Sequence, residues 1–296
     1  MNEQAKICCF CGSSEMKLLY KGRNHPFNKA HGPFDFYRCK NCSSGITFPM
    51  PAASELTALY RSFDGGMIPR IRAIRDHNPL TKWYMQCVTR ATQLAVSAIK
   101  ADFSWLDVGA GNGELALKVL KKFPLSKGFA VDFHERPESL DNTDIQWINT
   151  DINCSPQFDS NYFDLIFLIT VLEHVMYPDV LLESLLLKLK PQGVLYITVP
   201  DFGSLASTFL GDKWPYFIPG EHLLIPSKKG IKILLNKICQ IKFGTGNFDV
   251  IVKTTSIPYT AGYYWEYFGL GNLPKFIASK SLNFPTGILE ASVILH

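Results

Sequence analysis

The sequence predicts an α/β protein, a doubly wound, mostly parallel sheet with helices on both faces, preceded by a small cysteine-rich module. Three observations carry the prediction. Short β-rich runs alternate with helical patterns through the middle of the chain, which is the arrangement of parallel sheets. A glycine-rich turn follows the first of those runs, at the edge where open α/β sheets bind ligands. Five of the eight cysteines (Cys8, Cys9, Cys11, Cys39 and Cys42) fall before position 43.

Taken in order, residues 1–51 read as a unit of their own. Cys8-x-x-Cys11 and Cys39-x-x-Cys42 flank a loop carrying His25 and His31, and Pro49 and Pro51 close it. Residues 52–79 read as a linker or lid that opens with a helix, Ser54 its expected N-cap, and continues through Gly65 and Gly66. Residues 80–296 form the main domain. From Leu80 to Ile99 apolar residues recur at three and four, a helical stripe. SWLDVG, KGFAVD, DIQWIN, FDLIFLIT and GVLYITV follow as strands, with helices at Glu114–Phe123 and Val180–Leu189 between them and a turn at Lys190–Gly193 before the fifth. Then come an irregular loop (201–225), a helix (about 227–240), a strand in FDVIVKT, an aromatic-rich insert (257–285) and a last strand in EASVILH.

Hydrophobic residues make up 47% of the chain and charged ones 19%, which excludes a disordered chain. The net charge of +4 sits entirely in the first 50 residues, and the rest is balanced at 23 bases against 23 acids. A large polyanion therefore meets no extended basic surface on the body of the protein, which argues against nucleic acid as a partner. The start lacks a signal-peptide pattern, and the longest apolar stretch, Leu165–Leu172, is far short of the roughly 20 residues that span a bilayer. The expectation is a cytoplasmic protein without a membrane partner. There, close-spaced thiols are metal ligands more often than disulfides. Cys8, Cys11, Cys39 and Cys42 can offer four thiolates to one tetrahedral zinc, leaving no open position, so the metal is structural. Cys9 is a spare, His25 or His31 could replace a ligand, and a metal-free pair of redox couples is the alternative.

The turn Asp107-Val108-Gly109-Ala110-Gly111-Asn112-Gly113-Glu114 lacks the small residue that a dinucleotide fingerprint needs three positions after Gly111. Glu114 stands there instead, and Asp107 ends the strand. Carboxylates at this spot repel a pyrophosphate and favour a cofactor with a cationic sulfonium and ammonium, such as S-adenosylmethionine. Asp132, at the end of the second strand, can accept from ribose hydroxyls, and Asp151 with Ile152 can meet an adenine.

With these residues in view, residues 80–255 resemble a class I S-adenosylmethionine-dependent methyltransferase. The matching motifs are DVGAGNG, Asp132, TDI at 150–152, FDLIFLITVLEHV and LLLKLKPQGVLYITVPD, with Gln192 standing where the family usually has Gly. The front, with Cys11-Gly12, Tyr37-x-Cys39 and Pro49-Met50-Pro51, is similar to the zinc-ribbon-like segment of sugar and natural-product methyltransferases. The resemblance implies a Rossmann-like, seven-stranded sheet. It also implies a cofactor site of Asp107, Gly109, Ala110, Gly111, Asn112, Gly113, Asp132, Phe133, Asp151, Ile152 and Thr170.

Methyl transfer to oxygen or carbon needs a general base as well as alignment. His174, in the EHV segment after the fourth strand, borders the acceptor pocket in similar enzymes. Glu221-His222, in the loop after the fifth strand, resembles the Glu-His pair that serves base chemistry in sugar C-methyltransferases. The chain lacks the further C-terminal domain of those enzymes, which moves the expectation toward O- or N-methylation of a small molecule, a nucleotide sugar or secondary metabolite. Tyr60 and the run Tyr263, Tyr264, Trp265, Tyr267 and Phe268 are candidates for an acceptor lid or a homodimer surface, with core packing as the plainer alternative. Two other functions compete: an RNA methyltransferase gripping its substrate with the basic front, and a noncatalytic protein that keeps the cofactor fold.

Overall fold

The computed structural model describes residues 6–25, 31–62, 79–150, 158–257, 261–262, 265, 273–274, 277, 279–280 and 286–296. Two sheets organise them. The larger has seven strands: β4 (Ser104–Val108), β5 (Lys127–Asp132), β6 (Gln146–Asn149), β7 (Phe163–Ile169), β8 (Leu189–Pro200), β10 (Phe248–Thr255) and β11 (Ile288–Leu295). Their order across the sheet is β10-β11-β8-β7-β4-β5-β6. Pairing is parallel from β6 to β8 and antiparallel on both sides of β11, so that one strand alone runs against the other six. From β4 the chain winds outward through β5 to β6, then returns to the other side of β4 with β7 and β8. The carboxyl ends of β4 and β7 thus border a topological switch point, where such sheets open a ligand crevice.

Helices cover both faces, and β4 and β7 are accordingly buried along their whole length. Helix α2 (Pro79–Leu94) packs on α3 (Glu114–Lys122), which carries Glu114 in its first turn, Lys121 and Lys122 in its last, and buries Leu115, Ala116 and Val119. On the other face lie α4 (Pro178–Leu187), opened by a proline, and α6 (Lys228–Phe243). Ser227 caps α6 by accepting from Gly230 N at 2.9 Å.

Several local expectations shift. Helix α1 (Ala53–Ser62) begins before Ser54, and Glu55 closes its start by accepting from Ala52 N at 2.7 Å. The turn expected at Lys190–Gly193 is a bulge inside β8, with Gln192 left-handed at φ 64°. That conformation is the physical reason for a Gly preference there. The 201–225 loop contains helix α5 (Leu205–Leu210) and strand β9 (Leu224–Ile225). Of the aromatic insert, Trp265 is exposed, while Tyr263, Tyr264, Tyr267 and Phe268 lie outside the described residues, as do Asp151, Ile152, 63–78 of the linker and the side chain of Tyr60. Among the described residues no helix is long and apolar enough to cross a membrane.

The second sheet is made by the front of the chain with one strand borrowed from the body. Strands β1 (Met16–Arg23), β2 (Phe34–Cys39) and β3 (Gly45–Phe48) pair antiparallel, and β9 adds to β3 through Gly45↔Ile225 and Ile46↔Leu224. The front also shares the apolar core: Cys8, Phe10, Cys39, Cys42 and Ile46 join the cluster under α4 and α6, and Phe36 joins the one on the opposite face. At the start of α6, Ser227 N donates to Ser44 Oγ at 3.0 Å and Ser227 Oγ donates to the Cys42 carbonyl. A Cβ on Gly230 would lie 2.1 Å from Ser44 Oγ and 3.3 Å from both Cys42 Sγ and Phe10 Cβ. Gly230→Ala is therefore expected to destabilise the protein by about 1–3 kcal/mol, although Ala is the better helix former. Urea unfolding followed by circular dichroism reads the change.

Candidate functional site

The sequence places Gly109, Gly111 and Gly113 in one turn, and the fold uses all three in left-handed backbone, at φ 72°, 53° and 73°. A Cβ at Gly109 would lie 2.5 Å from Val171 Cγ2, and one at Gly113 would lie 2.8 Å from Leu140, while Gly111 faces open space. The turn is pinned to β5, because Gly109 N and Ala110 N donate to the Val131 carbonyl and Gly111 N donates to Asp132 Oδ2 at 2.8 Å. Asn112 Oδ1 accepts from Glu114 N at 3.2 Å. The result is an open cradle at the switch point.

Asp107 stands under the cradle, 2% exposed, and its Oδ2 has no hydrogen-bond partner among the described residues. Burial, assisted by the nearby Asp132, pushes its carboxyl up to about 8. An uncompensated buried carboxylate is costly, and an ammonium group in the cradle would satisfy it. Asp132 is already engaged, since its Oδ1 accepts from His134 N at 3.0 Å and His134 Nδ1 at 2.9 Å. A carboxylate has about four acceptor sites, which leaves room for a ribose hydroxyl. The Phe133 ring lies against that of His134, with centroids 3.8 Å apart. Thr170 turns left-handed at φ 52° as β7 ends, with its N donating to the Thr198 carbonyl at 2.8 Å. Tyr84 on α2 lies near enough to Asp107 and Glu114 to feel both: burial raises its phenol pKa, and the two carboxyl groups add to the shift. Only its place in an apolar stripe marked it, and that signal says nothing about a site.

Across the crevice the 3-10 turn Leu172–His174 follows β7. Glu173, His174 and His222 converge there, each with a ligating atom within 4.8 Å of the others. His222 is buried and donates from Nδ1 to the Tyr216 carbonyl at 2.7 Å, which leaves Nε2 with its lone pair. Burial, together with the His174 ring, holds its pKa down at about 3. Burial likewise lowers His174 to about 4, opposed by a hydrogen bond to the Glu221 backbone. Glu173 is 1% exposed, with Oε2 unpartnered among the described residues, and burial pushes it up to about 8.

Glu221 turns toward the front of the chain. Its Oε2 accepts from Nε2 of the fully buried His25 at 2.8 Å, and His31 Nε2 donates to the Gly220 carbonyl at 3.0 Å. His25 and His31, alternative metal ligands by sequence, thus brace the loop that presents His222.

Cys8, Cys11, Cys39 and Cys42 bring their sulfurs within 4.8 Å of one another, with Cys8 to Cys42 and Cys11 to Cys39 both at 3.5 Å. Tetrahedral Zn–S bonds of about 2.3 Å place sulfurs roughly 3.8 Å apart, so the set fits a closed four-thiolate site. The Cys42 thiol is pulled down to about 5, chiefly by its hydrogen bond with Cys8. Cys9 stands outside the set, and burial raises it to about 12.

A family profile described as a methyltransferase domain matches residues 81–238, just over half of the chain. No curated protein matches the sequence. Among solved structures, the plantazolicin methyltransferase BamL, in complex with a triazolic desmethylPZN analog and SAH, is similar at 15% identity and a TM-score of 0.54 over 84% of this chain and 92% of its own. The plantazolicin methyltransferase BpumL, with the same analog and SAH, is similar at 18% identity and a TM-score of 0.49 over 82% and 90%. A SAM-dependent methyltransferase from Archaeoglobus fulgidus is similar at 16% identity and 0.47 over 71% and 94%.

Two predictions follow from this geometry. S-adenosylmethionine would bind the ionised form of Asp107, which holds its proton below about pH 8, so affinity is expected to fall as pH drops from about 8 to 6, by up to about tenfold per unit. Asp107→Asn should flatten that profile in calorimetric titrations. Metal analysis is expected to find about one equivalent of zinc more in the native chain than in Cys39→Ser, the share held by the cysteine cluster.

Proposed function

The chain belongs to the methyltransferase-domain family, and from that premise we propose that it is an S-adenosylmethionine-dependent methyltransferase acting on oxygen or nitrogen of a small-molecule acceptor, a nucleotide sugar or secondary metabolite. The observation that carries the reading is the buried Asp107, whose Oδ2 has no partner among the described residues, at the end of the strand that leads into a left-handed glycine turn at the sheet's switch point. A natural-product acceptor also accords with BamL, a similar fold that holds a triazolic desmethylPZN analog.

When bound, S-adenosylmethionine supplies an electrophilic methyl group on a sulfonium. The residues of this chain do the rest. Asp107 would meet the ammonium of the cofactor, Gly109, Ala110, Gly111, Asn112 and Gly113 would let backbone approach it, and Asp132, beside Phe133, would receive a ribose hydroxyl. Thr170 shapes the corner where β7 ends, and Asp151 and Ile152 are assigned to the adenine. His222, with Nδ1 committed to Tyr216, offers Nε2 to the acceptor as a base or as the group that holds it, and His174 sits beside it. Glu221 acts through position, clamped to His25. The four-cysteine cluster holds a structural zinc that keeps the front folded against the His222 loop.

Asp132→Ala is expected to lower S-adenosylmethionine affinity about 10- to 100-fold, the loss of charge-assisted hydrogen bonds, measured by calorimetry. His222→Ala should leave that affinity within about twofold and lower methyl transfer by roughly a hundredfold or more. The measurement is release of S-adenosylhomocysteine with fractionated metabolite extracts as the acceptor source. Unchanged affinity in Asp132→Ala would sink the reading.

A further inference from the structure

We propose that Glu173, His174 and His222 form a second metal site, for a first-row divalent cation such as zinc, with its fourth position turned to the acceptor. The proposal rests on the reading of this crevice as the acceptor site and names the means by which the acceptor is held there.

Four observations carry it. The three side chains come from two separate segments, the turn after β7 and the loop after α5, yet each has a ligating atom within 4.8 Å of the other two. Glu173 is buried at 1% exposure, and its Oε2 has no hydrogen-bond partner among the described residues. Its nearest imidazole atom, His174 Nε2, is 4.0 Å from Oε1, too long for a hydrogen bond and wide enough for an ion between them. His222 also gives one hydrogen bond to backbone, from Nδ1 to the Tyr216 carbonyl at 2.7 Å, the outer-shell pattern which fixes the tautomer of a metal-bound imidazole and turns Nε2 to the metal.

The donor set is two imidazoles and one carboxylate, the borderline ligands that suit zinc and its neighbours. Three protein ligands leave a position open, in contrast to the closed four-thiolate cluster. His174, with a side chain 21% exposed, is the member of the triad that meets solvent, so the open position lies on its side. An acceptor oxygen or nitrogen bound there would be held by the ion, and His222 would then act as the ligand that carries the acceptor. The backbone frame is rigid where the site needs it: Leu223 N donates to the Glu173 carbonyl at 2.7 Å, joining the two ligand-bearing segments directly.

Cobalt(II) titration of the full-length native protein tests the proposal. Nitrogen and oxygen ligands give weak visible absorption, whereas thiolates add intense near-ultraviolet charge transfer, so the two sites report separately. The expected result is uptake of about one equivalent with weak visible bands only, retained in Cys39→Ser and weakened at least about tenfold in Glu173→Gln and in His222→Gln, the scale on which even outer-shell losses register. Circular dichroism checks that each variant folds, and His174→Gln, at the solvent edge, supplies the reading if a buried replacement does not. No uptake outside the thiolates, or uptake of unchanged affinity in the three variants, overturns the metal site. S-adenosylmethionine binding is measured on the same samples. Its absence beside intact cobalt uptake would sink the methyltransferase reading and leave the metal site standing.

Discussion

Strand β9 is two residues long, and the arrangement of the site depends on it. Its pairing with β3 lets Thr47 donate twice across the junction, from N to the Leu223 carbonyl at 2.8 Å and from Oγ1 to the His222 carbonyl at 3.0 Å. Leu223 N in turn reaches the Glu173 carbonyl. Three segments remote in sequence are thereby held in one backbone ladder: the front sheet, the loop after α5 and the turn after β7. Each bond contributes only about 1 kcal/mol net. Because all are buried, breaking one strands a polar group, and this makes the loop's position specific.

The same junction explains why the front of the chain carries so many polar groups toward the body. His25 reaches Glu221, His31 reaches the Gly220 carbonyl, Arg23 reaches Asp212 and Ser227 reaches the Cys42 carbonyl. The exposed Arg23–Asp212 pair contributes little. The partly buried His25–Glu221 pair fixes geometry, since it ties a fully buried imidazole of the front to the loop that carries His222. The front thus serves as the wall against which the His222 loop is set, and the cysteine cluster, part of the same apolar core, anchors that wall.

Two carboxylates stand apart from this economy. Asp107 and Glu173 are both buried, both pushed up to about 8, and both keep an oxygen without a partner among the described residues. Asp107 lies at the end of β4 and Glu173 in the turn after β7, at the switch point. Native folds rarely leave such groups unsatisfied unless something else completes them. The cofactor reading completes the first, and a cation completes the second.

The sequence by itself determined what is local or periodic. Alternation of apolar runs with helical stripes was enough to place β4 to β7, the later part of β8 and the helices between them, because burial like that of β4, β7 and β8 demands near-continuous apolar runs, while the partly exposed β6 was marked by its place in the alternation. Gly109, Gly111 and Gly113 were legible because only glycine adopts that turn without strain, and Cys8, Cys11, Cys39 and Cys42 because paired thiols at two-residue spacing have few other uses. Tertiary structure decided what depends on contact between distant segments. Glu221 beside His222 read as a catalytic pair, but its carboxylate went to His25, 196 residues away. Glu173 and His174, neighbours in one short turn, were brought together with His222 from the loop after α5. Tyr84 carried no motif at all. Side-chain direction at such positions is set by which long-range pairing buries the most polar groups with partners, and that outcome is not written in any local pattern.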